Sequence, residues 1–194
     1  MVYRNLNYQS NFFTIYFIYI NIYIYINKFI YINNMYLKSF VYGGIDGIIT
    51  LFNVISSVEG AKLDHKYIII IAFSVLIADA LSMGIADYLS TNAENKYKNT
   101  NNNSIKSGLV TFGSFILFGL IPLIIFFVMN KINKKNRYQN TLFSMMIAFF
   151  IMGTIQSKYT REKWYIEGGK TVFYGTGTSL IAYKISQTIE KLVK

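Results

Sequence analysis

Residues Tyr67–Ser90 read YIIIIAFSVLIADALSMGIADYLS. The run has no lysine, arginine or proline, and as a helix it is long enough to cross the ~30 Å hydrocarbon core of a bilayer. Yet it holds two aspartates, Asp79 and Asp87, with Met83 between them. An isolated strand would leave its backbone amides unsatisfied in lipid, so the run reads as a membrane-spanning helix. At about 100° per residue, Asp79, Met83 and Asp87 follow one another at i, i+4 spacing and form a stripe down one face.

The rest of the chain fits that reading. Its 194 residues are 53% hydrophobic and only 14% charged, with a mean hydropathy of +0.34. A soluble domain carries about a quarter charged residues. Apolar runs predict four further spans: Leu37 to Val58, Ser107 to Met129, Thr141 to Ser157 and Gly168 to Ile189. The single proline and the helical length of the runs exclude a barrel, whose strands are about half as long. The fold expected is an all-α integral membrane bundle of five transmembrane helices, with the lipid bilayer as its solvent. Residues 35–194 form that one domain, because the intervening loops are short and polar.

Residues 1–34 differ. The stretch IYFIYINIYIYINKFIYIN (Ile15 to Asn33) is Ile, Tyr and Asn in near-repetition. Low-complexity text of this kind seldom encodes specific packing. It competes as an extra span, as an interfacial leader, or as sequence upstream of a working start at Met35, and the leader, dispensable for function, is favoured.

Charge and composition exclude several function classes. The net charge of +10 is spread over the loops, clustering only in NKINKKNR (Asn130 to Arg137), so nucleic acid is not an expected partner. Basic residues divide almost evenly between the two sides of the five-span topology, so orientation does not follow from charge. There is no cysteine and one histidine, His65, in a polar turn. Thiolate and His-based metal sites are therefore absent, no catalytic constellation emerges, and the protein is not expected to be an enzyme or to hold a permanent cofactor.

Chemistry concentrates in three of the 9 acids: Asp46, Asp79 and Asp87 fall inside predicted spans. A carboxylate at a helix centre costs about 2.5–3.5 kcal/mol on insertion scales, so such groups usually face a cavity or partner and serve transport or proton relay. Oxygen ligands with an adjacent thioether suit a cation of intermediate character, such as Fe(II) or Mn(II). Asp46 is flanked by Gly43 and Gly47, whose four-residue spacing permits close helix approach and would bring two copies of Asp46 together across a dimer interface. Gly175 and Ser179 repeat that spacing in the fifth span, as a second helix-packing face. Pro122 frees a carbonyl one turn back in the third span and permits a kink.

At these residues the chain resembles the vacuolar iron transporter family. The matching segments are GGIDGIITLF (43–52), ALSMGIADYLS (80–90), GLVTFGSFILFGLIPL (108–123) and GTGTSLIAYKI (175–185). The resemblance implies a five-helix protomer, a homodimer with the ion path at its interface, and proton-coupled movement of Fe(II), often Mn(II), from the cytosol into a vacuole or other acidic organelle. It implies that Asp46 and Met83 line the path, with Asp87 where the family usually has glutamate. Asp79 inherits no family role. Members with a glutamate-rich cytosolic domain insert it after span two, where this chain has only TNAENKYKNTNNNS (91–104). A non-transporting membrane scaffold or regulator that retains the fold is the alternative reading. Deletion of residues 1–34 is expected to leave membrane insertion and metal flux unchanged, as measured by membrane fractionation and liposome uptake. Lost insertion would give the segment a structural part.

Overall fold

The computed structural model describes residues 36–132 and 137–193, so the expectations for residues 1–34 lie outside the described residues. Five helices follow in order: α1 (Leu37–Gly60), α2 (His65–Lys98), α3 (Ser104–Ile132), α4 (Arg137–Thr160) and α5 (Trp164–Val193). Among the described residues there is no strand. Four helices are long and apolar enough to cross a membrane, over Leu37–Gly60, Lys66–Lys98, Ser104–Lys131 and Tyr138–Lys158. The chain is an integral membrane protein. At 30 residues α5 is long enough as well, but Glu167, Lys170, Lys184, Glu190 and Lys191 interrupt its apolar run.

Each helix outruns its apolar stretch, and α2 does so most. It continues past Ser90 to Lys98, helped by a Glu94–Lys98 ion pair at i, i+4 (2.6 Å). The polar loop expected there shrinks to residues 99–103. Asn99 ends the helix in the left-handed conformation (φ 49°), which asparagine adopts more readily than most residues. The Asn95 side chain then ties the turn together. Its amide donates to the Asn102 carbonyl (2.7 Å), and its Oδ1 accepts from Thr100 Oγ1 (2.9 Å) and the Asn102 amide (3.2 Å). Asn103 Oδ1 caps α3 by accepting from the Lys106 amide.

The helices pair as two antiparallel hairpins, α2 with α3 and α4 with α5, joined by short turns. Between the hairpins runs α1, parallel to α3 and to α5. Over half of its apolar stretch is buried, against 28% for α2. The exposed side chains of α2, among them Ile70, Phe73, Ile77, Leu81, Ile85 and Leu89, form an apolar face outside the packed bundle. α3 continues through the buried Pro122 without ending.

Glycines set how closely α1 seats. A Cβ built on Gly43 would lie 2.6 Å from the Thr111 carbonyl oxygen, and one on Gly47 would lie 2.5 Å from that of Phe115. The Gly43–Gly47 face is thus spent on α3 of the same chain. That corrects the expectation that it brings two copies of Asp46 together, because backbone already fills the space a second copy would need. On the other side, Ser179 Oγ donates to Asn53 Oδ1 (2.8 Å), and Gly60 meets the Tyr183 backbone, fixing α1 on α5. Gly175 admits the Phe149 ring of α4.

Gly47→Leu is expected to destabilise by about 1–3 kcal/mol through overpacking, lowering the thermal midpoint of the detergent-solubilised protein. Gly113→Ala and Gly177→Ala, where an added Cβ meets nothing within 4 Å, are expected to hold or raise that midpoint, since alanine is up to about 1 kcal/mol better in a helix.

Candidate functional site

Asp46 is half-buried, one turn beyond Gly43 on α1, and it lines a cavity of about 450 Å³ between α1, α4 and α5. Its neighbours around that space include Lys38, Gln156, Thr160, Glu167 and Lys170. From α2, Asp79 acts on Asp46 as the nearby like charge. The structure therefore brings together the span-one aspartate and the one span-two aspartate that the family resemblance left without a role. A second carboxylate of like charge in a low-dielectric setting makes ionising both costly and favours a proton or a cation at the site.

Asp79, Met83 and Asp87 are all half-buried, whereas Leu81, Ser82, Ile85 and Ala86 between them are exposed, so the stripe is a physical face of α2. Its two ends differ. Asp87 lies eight residues, or about 12 Å, further along the helix than Asp79. There it accepts hydrogen bonds at Oδ2 from Ser107 Oγ (2.8 Å) and Thr111 Oγ1 (2.6 Å) of α3. Ser39 of α1 also hydrogen-bonds Asp87, and its hydroxyl lies 2.7 Å from that of Ser107. Thr91 Oγ1 adds a donor to Ser107. The hydroxyls of Ser39, Ser107 and Thr111 are buried, and Lys38 supplies an attractive charge. Asp87 is thus a buckle that joins three helices beside the Gly84–Gly108 crossing, where α2 and α3 backbones nearly touch. Met83 sits between buckle and carboxylate pair on the same stripe.

Glu167 is the buried, cavity-lining acid that the sequence reading passed over. It lies in the first turn of α5, is only 5% exposed, and lines the same cavity as Asp46. Lys170 Nζ pairs with its Oε1 at 2.8 Å. Underneath it, Gly153 of α4 leaves room for the Glu167 carbonyl and the Gly168 Cα. Thr171 Oγ1 donates to the Glu167 carbonyl (2.9 Å). The usable signal was local: the glutamate falls between the aromatic pair Trp164–Tyr165 and the small pair Gly168–Gly169, where a helix enters lipid and packs closely. Among the described residues no three His, Cys, Asp or Glu side chains gather as a metal-holding group.

Together these features describe an α-helical integral membrane protein that keeps acidic side chains within its spanning helices, one of them lining a cavity between α1, α4 and α5. The chain belongs to the VIT family, whose model matches residues 37–104 and 96–187. The two matched segments meet at the α2–α3 turn. Among named proteins, the chain is 24% identical to the "Vacuolar iron transporter" of Plasmodium berghei (strain Anka) over 198 residues, covering 66% of this chain and 72% of that protein. It is 25% identical to the protein of the same name from Plasmodium falciparum (isolate 3D7) over 197 residues, with the same coverage. A shorter match, 39% over 62 residues, links it to the Toxoplasma gondii (strain ATCC 50861 / VEG) "Vacuolar iron transporter", covering 32% of this chain and 20% of that one. No solved structure shows a significant match.

Asp87→Leu is expected to strand the Ser107 and Thr111 hydroxyls and cost about 1–3 kcal/mol for each buried group left unpaired. Asp87→Asn retains an acceptor and is expected to cost less. Thermal unfolding of the purified variants checks the ranking.

Proposed function

We propose that this protein carries Fe(II), and Mn(II) with it, across its membrane in exchange for protons. Metal leaves the cytosol for a vacuole or other acidic compartment, and the working unit is a homodimer. The observation that carries the proposal is Asp46: a half-buried carboxylate on the central helix, within electrostatic reach of Asp79 and open to a cavity. Proton and divalent cation compete for the same carboxylate oxygens, so loading one releases the other, and a pH gradient biases the exchange. Met83, on the same stripe of α2 as Asp79, supplies a softer ligand that favours Fe(II) and Mn(II) over magnesium or calcium. The relatives' name, "Vacuolar iron transporter", supports iron as the cargo. Asp87 contributes by holding α1, α2 and α3 in register around the path.

The second reading is a non-transporting scaffold or regulator that keeps the fold. It draws support from the lack of a three-residue metal-holding group among the described residues.

Reconstitution in liposomes with an imposed pH gradient decides between them. Transport predicts Fe(II) uptake coupled to counter-movement of protons, reduced tenfold or more in Asp46→Ala and less severely in Met83→Leu. Folded protein with no metal-dependent flux, or equal flux in Asp46→Ala, sinks the transport reading in favour of the scaffold.

A further inference from the structure

Glu167 and Lys170 belong to the cavity of Asp46, yet nothing in the transport reading uses them. Glu167 is held rigidly: its backbone is pressed against Gly153, its carbonyl accepts from Thr171, and its side chain is 7% exposed. Lys170 is its opposite, 52% exposed on a long flexible stem and joined to the site only through Nζ. Glu167 also sits in the first turn of α5, where the helix dipole favours an anion even without a counter-charge. A fixed, largely buried carboxylate therefore carries a movable cation at the edge of the space that reaches Asp46.

Resting on the transport reading above, we propose that Lys170 is a tethered stand-in for the transported ion: its ammonium occupies Glu167 until a divalent cation displaces it on the way to Asp46. Lys170 then sets the affinity of entry. A weakly held or singly charged ion does not dislodge an ammonium seated at 2.8 Å, whereas a divalent ion, with twice the charge on the same carboxylate, does. After displacement the lysine returns to water, which its exposure permits at little cost. When the ion moves on, the lysine swings back and restores charge balance.

The test is equilibrium binding of Mn(II) to the detergent-solubilised full chain, with free Mn(II) counted by room-temperature electron paramagnetic resonance. Lys170→Gln removes the competitor and is expected to tighten binding threefold or more. Lys170→Arg keeps a cation and is expected to bind like the native chain. Glu167→Gln is expected to weaken binding tenfold or more. Where Glu167→Gln is not monodisperse on size exclusion, Glu167→Asp replaces it, with a threefold weakening expected from its shorter stem. Unchanged binding in Lys170→Gln or in the Glu167 variant overturns the proposal, as does a native chain that binds no Mn(II) saturably. Because the readout is binding, its failure is distinct from that of transport. Flux lost in Asp46→Ala with unaltered binding in the Lys170 and Glu167 variants removes this inference alone. Binding that shifts as stated in a chain without flux removes only the transport reading.

Discussion

The seating of α1 on α3 governs this molecule. In lipid there is little hydrophobic gain from bringing two apolar helices together, so association rests on close van der Waals fit and on hydrogen bonds between helices. Gly43 and Gly47 give α1 that fit against the Thr111 and Phe115 backbone. Asp46 and the cage around Asp87 are positioned from this contact. Asp46 lies between those two glycines in sequence and emerges on another face of the helix. Ser39, one turn earlier, reaches Ser107 and helps close the cage around Asp87. Further along, Asn53 receives the Ser179 hydroxyl of α5. One helix thus carries small residues for approach, polar residues for tethering and a carboxylate for chemistry, each on its own side.

The intramembrane acids divide by how well they are satisfied. Asp87 has hydroxyl donors from two neighbouring helices, α1 and α3, and a lysine nearby, so its charge is absorbed locally. Asp46 has a like charge as its neighbour and a cavity in front of it. The first arrangement stabilises a fold. The second leaves a carboxylate open to that cavity. Identical residue types in adjacent spans therefore stand in different surroundings.

Most of the helix bundle was legible in the sequence, because apolar length alone marks a membrane span. The helix ends were not: residues 91–98 of α2 look like loop by composition, and only the Glu94–Lys98 pair and the Asn95-centred turn make them helical. The small-residue spacing of Gly43 and Gly47 announced a close approach without naming the partner, since four-residue spacing is blind to which helix it meets. The Asp79–Met83–Asp87 stripe followed from helical periodicity. That its far end is tied to Ser107 and Thr111, 20 and 24 residues away, depended on the hairpin register. Glu167 escaped notice because its burial comes from Gly153 on another helix, in a stretch whose charged neighbours Arg161, Glu162 and Lys163 read as water-facing.

The length of α2 has an architectural consequence. Its 34 residues extend about 51 Å, well beyond a hydrocarbon core of ~30 Å. Since the apolar run lies toward its start, the surplus forms a stiff post standing clear of the lipid, crowned by the knotted turn at residues 99–103. The tip of that post is remote from the packed interior and bordered by solvent, which is where a chain accepts added material with least disturbance. The α2–α3 hairpin is in effect a socket: a complete bundle closes with five residues across its mouth, and a whole domain could be spliced in there without moving a single helix beneath.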